Sequence, residues 1–443
     1  MTESSPGLSS NFADYKPLMD RNAAVVEANR CLNCYDAPCI RSCPTSIDIP
    51  GFIKKIATDN MRGSARLILE ANILGASCAR VCPTQELCEG ACVLHDLHEE
   101  PIQIGRLQRY ATDQVVLNGK AANLFEAAPR NGKKVALVGA GPASLGCAAE
   151  LAQLGYETVL FEKGAEPGGL NTYGIADYKM DYATALAEID WVRQLGVDIR
   201  CNTEVGVDVT VESLQKDYDA VFLGIGLGGV DPIGIPGEDL WGVRDCLELI
   251  AELKTQPKDD VSLVGKTVAV LGGGNTAIDA VTQSARLGAD RVYLVYRRDQ
   301  AAMGAYPHEQ ELARKDGGVF VFHSQPVEIL GSEGKVTGLK CIRTRSGDGG
   351  LEYIEGSEYV IDVDYVLRAT GQSKLTEFLA RFEGLELDPK GRVVADDNGR
   401  TSLDGIWTGG DCVSGGQEVV NAVAEGKRAA QDIHAQLQEE GAP

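Results

Sequence analysis

Two closely spaced runs of cysteine constrain this chain more than any other feature of its sequence. Eight of the 13 cysteines lie within 62 residues, in the patterns Cys-x2-Cys-x4-Cys-x3-Cys-Pro at 31–44 and Cys-x3-Cys-Pro-x4-Cys-x3-Cys at 78–92. The first ten residues are polar and contain no apolar stretch that could act as a secretory signal. We therefore expect the clustered cysteines to be metal ligands in the reducing cytoplasm rather than disulfides.

Length and charge narrow the class of protein further. With 443 residues, 44% of them apolar, the chain is long enough for roughly three domains, each with its own core. No apolar run approaches the length needed to span a bilayer, so no membrane association is expected. A formal net charge of −22 would repel phosphate backbones, which argues against nucleic acid as a partner.

One architectural pattern occurs twice after the cysteine-rich region. Residues from Tyr15 to about Thr112 are helical in character, and 117–131 has the composition of a linker. A buried strand, a glycine-rich turn, a helix and a second strand then follow at 134–162, and the same order returns at 267–296. Such alternation predicts parallel sheets with helices on both faces.

The first repeat has the sequence Gly139-Ala-Gly-Pro-Ala-Ser144, here called the first fingerprint, between a strand and a helix. Gly139 permits the tight turn, and Gly141 lets backbone amides approach a pyrophosphate at the helix N-terminus. Glu162 ends the next strand and would accept hydrogen bonds from ribose hydroxyls, although an ordinary glycine turn is the alternative. The predicted dinucleotide contacts are Gly139, Gly141, Pro142, Ala143, Ser144 and Glu162, together with Gly169 and Leu170.

The second repeat has Gly272-Gly-Gly-Asn-Thr-Ala277, here called the second fingerprint. Its predicted contacts are Gly272, Gly274, Asn275, Thr276 and Ala277. Arg297 and Arg298 stand where an acid would favour the free ribose of NAD, and arginine can pair with a 2′-phosphate instead. Asp299 follows directly, so the preference between NAD and NADP is ambiguous. Alternatively, the two arginines are only the solvated end of a strand.

Two later segments fit the first repeat and indicate how the domains are connected. Gly410 and Asp411 lie between an apolar run and a helix-like stretch, where a carboxylate can reach a sugar-like hydroxyl. Gly371 similarly ends a strand. The simplest topology inserts the second repeat into the first, which gives a helical domain at 1–125, one dinucleotide domain at 126–235 and 369–443, and another at 236–368. The fold class is thus α/β, with two Rossmann-like domains after an α-helical domain.

Dinucleotide cofactors carry electrons in pairs, and a chain that binds them has a source of electrons. We therefore expect the cysteine runs to hold iron–sulfur clusters, which carry single electrons. Paired zinc sites are the alternative. The fingerprints and the glycines near the C-terminus resemble the two-dinucleotide-domain flavoprotein reductases, which hold FAD in the outer domain and a nicotinamide in the inserted one. With the cysteine runs, the likeness narrows to the small subunit of bacterial glutamate synthase and the N-terminal half of dihydropyrimidine dehydrogenase. It extends from about Arg30 to Ile433.

The segments Cys39–Ile53 and Val81–Cys92 favour the dihydropyrimidine dehydrogenase pattern, because glutamate synthase subunits have a shorter gap between the middle cysteines of the second run. The resemblance implies two [4Fe–4S] clusters with ligands shared between the runs. One cluster would be held by Cys31, Cys34, Cys39 and Cys92, and the other by Cys43, Cys82, Cys88 and Gln108. Cys78 is the alternative to Gln108.

The resemblance implies an electron-input oxidoreductase subunit. NAD(P)H would reduce FAD, and single electrons would pass through both clusters to a separate FMN-containing chain that reduces uracil or thymine to the 5,6-dihydropyrimidine in a hetero-oligomer. NADH is favoured over NADPH for two reasons. Gly304 occupies the position where NADPH-dependent dihydropyrimidine dehydrogenases have an arginine, and Asp299 would repel a 2′-phosphate. No side chain is expected to act as an acid or base. The alternatives are a glutamate synthase small subunit feeding a glutamine-dependent partner and a zinc-bearing scaffold that senses NAD(P)H.

Overall fold

A computed structural model describes residues 7–119, 124–347 and 350–439. Residues 120–123 of the predicted linker lie outside the described part. The chain forms two compact units. The larger unit contains Asp14–Ile175, Lys179–Leu227 and the chain from Lys374 onwards; the smaller contains Ala176–Tyr178 and Gly228–Ser373, together with the chain up to Ala13.

Short amphipathic helices make up the cysteine-rich region. They are α1 Arg21–Asn29, α2 Pro38–Arg41, α3 Ile49–Ala57, α4 Met61–Ala71, α5 Gly75–Val81 and α6 Ile104–Thr112. In α3 the residues Ile49, Phe52, Ile53 and Ile56 are buried at helical spacing, and Asp48 caps the helix by accepting from the Gly51 N–H at 2.9 Å. The helices thus bury an apolar core that the half-buried cysteines border.

The first parallel sheet lies in the larger unit. Its elements begin with β1 Lys134–Val138, α7 Pro142–Gln153, β2 Glu157–Phe161, α8 Leu170–Tyr173, α9 Tyr182–Gln194, β3 Asp198–Arg200, α10 Val211–Asp217 and β4 Ala220–Leu223. All the strands are parallel, in the order β3-β2-β1-β4. Four of the five residues in both β1 and β2 are buried, as expected for strands covered on two faces.

The inserted segment forms the second parallel sheet. Its elements are β5 Val243–Asp245, α11 Cys246–Thr255, β6 Thr267–Leu271, α12 Asn275–Arg286, β7 Arg291–Val295, α13 Pro307–Lys315, β8 Gly318–Val321, β9 Ser324–Ser332, β10 Lys335–Gly347, β11 Gly350–Tyr353, β12 Tyr359–Asp362 and β13 Tyr365–Arg368. The sheet order is β5-β13-β6-β7-β8, all parallel. Strands β9 to β12 form a separate antiparallel sheet around β10, which the sequence analysis did not predict.

The last segment returns to the larger unit as α14 Thr376–Leu379, β14 Ile406–Thr408, α15 Asp411–Ser414 and α16 Val419–Glu439. Strand β14 pairs in parallel with β4, so a strand that follows the insertion completes the first sheet. The predicted fold class, with one Rossmann-like domain inserted in another, is confirmed.

In the described part of the chain, no helix combines the length and apolar character needed to cross a membrane.

Candidate functional site

The first fingerprint forms a glycine cradle at the carboxyl end of β1. Gly139 has a φ of +83°, and a Cβ there would lie 2.7 Å from the Gly224 carbonyl oxygen. Helix α7 begins just beyond, with Pro142 in its first turn and no side-chain cap on its first amides. Those uncapped amides at the positive helix end suit a pyrophosphate. Ala143 and Ser144 follow in the same turn, and the Ser144 Oγ is buried without a partner among the described residues.

Glu162 turns back onto this cradle. One carboxylate oxygen accepts from the Ala140 N–H at 2.9 Å and the other from the Gly164 N–H at 2.7 Å. A carboxylate has about four acceptor positions, so ribose hydroxyls can share it. Glu162 therefore lies where the strand–helix–strand pattern predicts it.

The C-terminal turn at Gly410 packs against the start of α7. A Cβ on Gly410, whose φ is +82°, would lie 3.1 Å from the Ala143 Cβ. Glu425 holds this turn by accepting from the Gly410 N–H at 2.6 Å. Burial raises the pKa of Asp411, and its Oδ1 accepts from the Gln417 N–H at 3.0 Å. A hydroxyl-rich ligand would supply the further donors that this carboxylate can use.

The segment at Gly169 closes over the same cradle. Gly169 has a φ of +55°, and its Cβ would lie 3.1 Å from the Gly141 Cα. Leu170 follows at the start of α8, and the next residue, Asn171, is buried. The Asn171 Oδ1 has no hydrogen-bond partner in the described part of the chain. An orphaned buried oxygen beside a glycine cradle fits a cofactor that brings its own N–H donor.

Helix α5 is bonded to the dinucleotide-binding part of the larger unit. Asn171 donates to the Ser77 Oγ at 3.1 Å, and Ser77 Oγ also bonds the carboxylate of Glu188. Glu188 accepts from the N–H groups of Ala76 at 2.7 Å and Ser77 at 3.1 Å, and burial raises its pKa to about 7. Residues on α8 and α9 thus fix the start of the helix that carries Cys78. Neither Glu188 nor Glu425 was predicted from the sequence, because nothing in their local sequence patterns marks them.

Four of the predicted ligands, the first cysteine group, line one cavity. They are Cys31, Cys34, Cys39 and Cys92. The empty volume is about 390 Å³, including space open to solvent, and most of the other lining residues are apolar. Burial raises the pKa of Cys39 to about 11, and neighbouring Cys31 and Cys92 add to this shift. Bound iron would reverse the effect, because a coordinating thiol is deprotonated.

The second cysteine group, Cys43, Cys82 and Cys88, also forms a set of electrostatic neighbours. Burial raises the pKa of Cys88 well above its ordinary value, and Cys82 and Cys43 contribute in the same direction. A hydrogen bond with Cys78 and burial raise the pKa of Cys82. In the described residues, no three His, Cys, Asp or Glu side chains converge on a point that would hold a single metal ion.

Both candidates for the eighth ligand lie on the helices next to this group. Cys78 is buried and accepts from the Asn72 Nδ2 at 3.1 Å. Gln108 is also buried, and its Nε2 donates to the Gly75 carbonyl oxygen at 2.7 Å. A carbonyl can only accept, so this contact identifies the Gln108 amide nitrogen as the donor to Gly75.

The second fingerprint forms an equivalent turn at the end of β6 in the smaller unit. Gly272 has a φ of +150°, and its Cβ would lie 2.3 Å from the Ala369 carbonyl oxygen. Gly274 precedes α12 without a side-chain cap, and Asn275, Thr276 and Ala277 form the first turn. Gly371, with a φ of +121°, follows the adjacent parallel strand β13. The expectation that it belongs to the first repeat was wrong, because it lies in the smaller unit. These residues therefore meet at the carboxyl edge of the second sheet, where dinucleotides bind.

Arg297 and Arg298 follow β7 at the same edge of that sheet. Both residues are exposed, and neither guanidinium has an ion-pair partner within the described ranges. Asp299 Oδ1 instead accepts from the Ala302 N–H at 2.9 Å, capping a short 3-10 turn. The two arginine side chains are thus the charges available to a ligand at this strand end.

Family models match both parts of the chain. Residues 8–120 match the family described as dihydropyrimidine dehydrogenase domain II, 4Fe–4S cluster, and residues 133–426 match pyridine nucleotide-disulphide oxidoreductase. Among solved structures, thioredoxin reductase of T. acidophilum has a TM-score of 0.57 at 22% identity, covering 69% of this chain and 99% of that one. Mycobacterium tuberculosis FprA in complex with NADPH has a TM-score of 0.56 at 19% identity, covering 71% of this chain and 86% of that one. These two similarities show the fold alone.

Curated relatives align over most of the chain. Glutamate synthase [NADPH] small chains from Halomonas elongata and Escherichia coli are both 38% identical, over 95% of this chain and 92% of theirs. The NADP(+)-dependent formate dehydrogenase subunit beta of Moorella thermoacetica is 35% identical, over 91% of this chain and 60% of that protein. The expected FAD- and NAD(P)H-dependent oxidoreductase with a 4Fe–4S domain is confirmed, whereas the preference for the dihydropyrimidine dehydrogenase type is not. The chain therefore belongs to the pyridine nucleotide-disulphide oxidoreductase family, among the glutamate synthase small chains and their related oxidoreductases.

Proposed function

We propose that the chain is the electron-input subunit of a larger enzyme, with one FAD, two [4Fe–4S] clusters and a separate catalytic partner. When bound, FAD accepts a hydride and releases single electrons, which iron–sulfur clusters can carry. The observation that carries the proposal is the bonding of α5, where the second cysteine run begins, to α8 and α9 beside the first fingerprint. Hydrogen bonds therefore join the segment after Gly169 to the helix that carries Cys78.

The chain's own residues bind and orient in this proposal. The first fingerprint presents backbone amides to a pyrophosphate, and Glu162 and Asp411 offer carboxylates to hydroxyls. Asn171 offers a buried carbonyl oxygen to a cofactor N–H. No side chain has to transfer a proton in a hydride step, so orientation and tuning of potential are the work of the protein.

The first candidate partner is a glutamine-dependent glutamate synthase chain, because small chains of that enzyme align over 92% of their length. The second is an FMN-containing chain that reduces uracil or thymine. It is favoured by the match of residues 8–120 to the dihydropyrimidine dehydrogenase cluster domain and by the spacing of the second cysteine run.

Anaerobic reconstitution tests both candidates. The purified chain is mixed with each partner, and NAD(P)H oxidation is measured together with glutamate formed from glutamine and 2-oxoglutarate, or with dihydrouracil formed from uracil. We expect product in one mixture, with two glutamates formed per NAD(P)H oxidised with the glutamine-dependent partner, or one dihydrouracil per NAD(P)H with the FMN-containing partner. Reduction of artificial dyes with no product from either partner would contradict both partner assignments.

We propose Gln108 as the eighth cluster ligand. The Gln108→Ala variant is expected to lose the second cluster, so that iron falls from about eight to about four per chain. Cys78→Ala is the matched control, since it removes the competing ligand from the neighbouring helix, and it should keep about eight irons. Iron analysis and the spectrum of the reduced protein measure both. Cluster loss in the Cys78 variant alone would refute the choice of glutamine.

We propose NADPH as the preferred donor, in contrast to the NADH that the sequence argument favours. Both arginines after β7 are exposed and unpaired within the described residues, and Asp299 has one oxygen engaged in capping. The names of the glutamate synthase and formate dehydrogenase relatives also specify NADPH or NADP. A guanidinium can pair bidentately with a 2′-phosphate.

Replacing Arg297 and Arg298 together by Ala should raise KM for NADPH about tenfold or more, because one charge-assisted contact contributes roughly 1.5 to 3 kcal/mol. KM for NADH should change little. Arg291→Ala is the control, since this exposed arginine lies at the opposite end of β7. Steady-state reduction of a dye with each nucleotide provides the measurement. A larger kcat/KM with NADH in the unmodified chain would restore the NADH preference.

A further inference from the structure

A buried lysine lies beside the second cysteine group. Lys16 has only 9% of its surface exposed, and its Nζ donates to the Cys82 carbonyl oxygen at 2.7 Å. Lysine is rarely buried unless a partner holds it. Its main chain is fixed as well, because the Lys16 carbonyl accepts from the Arg109 guanidinium at 2.6 Å. The ammonium group is therefore held in place by elements far apart in sequence.

The groups that face Lys16 are mostly anionic or become so when iron binds. Burial lowers the pKa of Lys16 from its ordinary value of 10.5. The nearby Glu89, Cys82 and Cys88 oppose this shift, whereas Lys179 adds to it. Glu89 is fixed by accepting from the Gly105 N–H at 2.9 Å. A Cβ on Gly105 would lie 3.5 Å from the Lys16 Nζ, which places the ammonium against the first turn of α6. One turn later on that helix is Gln108.

We propose that Lys16 raises the reduction potential of the cluster held by the second cysteine group. The inference rests on the proposed function, since it requires that cluster. A fixed positive charge stabilises the more negative, reduced form, and the effect is strong where burial keeps the local dielectric low. Net charge and hydrogen bonding around the ligands are recognised determinants of cluster potential. Lys16 would thus make this cluster a readier electron acceptor than it would be without the charge.

The test is an EPR-monitored redox titration of the full chain at one pH. Lys16→Gln removes the charge but keeps an amide donor, and Lys16→Arg keeps the charge. In the Gln variant we expect the second cluster to become at least tenfold harder to reduce, a negative shift of 59 mV for one electron. The Arg variant, the first cluster and the FAD content should remain unchanged. Repeating the titration in the Cys34→Ser background assigns the signal to the second cluster.

An unchanged midpoint in Lys16→Gln, with both cluster signals present, overturns the inference and leaves the proposed function intact. Absence of a second cluster signal from the unmodified chain overturns the proposed function itself. If Lys16→Gln fails to retain iron, Lys16→Met decides. It replaces the ammonium by an uncharged side chain that fills the buried position, so the potential must shift in the negative direction, and no shift overturns the inference.

Discussion

Replacing Cys34 by Ser is expected to abolish the first cluster while leaving FAD in place. Cys34 lines the cavity with the other members of the first cysteine group, and a serine hydroxyl is a poorer ligand for iron than a thiolate. Iron should fall from about eight to about four per chain. Electron delivery to the partner should fall by on the order of 100-fold, since losing even an outer-shell partner costs 10- to 100-fold at metal sites.

The first fingerprint is remote in sequence from this cavity, so reduction of bound flavin by NAD(P)H should survive the Cys34 change. Cys201→Ser is the matched control, because Cys201 is half-buried and belongs to neither cysteine group. Iron content, FAD content and partner reduction are measured on all three proteins. Full retention of both clusters in the Cys34 variant would show that the ligand assignment is wrong.

Gly139→Ala is expected to strip the chain of FAD. The alanine would have to adopt a φ of +83°, with its Cβ 2.7 Å from the Gly224 carbonyl oxygen. Left-handed backbone costs about 1 to 2 kcal/mol and the steric overlap about 1 to 3 kcal/mol. Relieving them shifts the turn and displaces the amides that would hold the pyrophosphate, so we expect FAD binding to weaken by roughly 30-fold or more. The ratio of FAD to protein after gel filtration measures the loss.

Gly132→Ala is the control for backbone strain alone. Gly132 also has a φ of +83°, but no atom lies within 4 Å of the Cβ it would gain. This variant should lose some stability and keep its FAD. Equal loss of FAD from both variants would mean that strain, rather than closure of the cradle, explains the effect at Gly139.

The parts of the fold that depend on local sequence could be predicted. A buried strand followed by glycine and a helix is specified by adjacent residues, so the positions of Gly139 and Gly272 follow from the pattern. The antiparallel sheet around β10 was not predicted, because its strands alternate imperfectly and β10 contains register shifts at Val336/Gly338 and Lys340/Cys341. Such irregularities weaken the period-two signal on which strand prediction rests.

The supporting contacts of the site could not be predicted, because they join residues distant in sequence. Lys16 and Cys82 are 66 positions apart, and Ala76 and Glu188 are 112 apart. Each such side chain looks locally like an ordinary solvated charge. Their roles depend on which helices pack together, and that is decided by the apolar cores rather than by the charged residues themselves.

Anaerobic metal and flavin analysis, followed by titration with NADPH, tests the central claim most directly. We expect about eight irons with matching acid-labile sulfide and one FAD per chain. Addition of NADPH should bleach the flavin band and the broad brown absorption of the clusters together. Zinc in place of iron, with no brown absorption and no response beyond the flavin, would contradict the account.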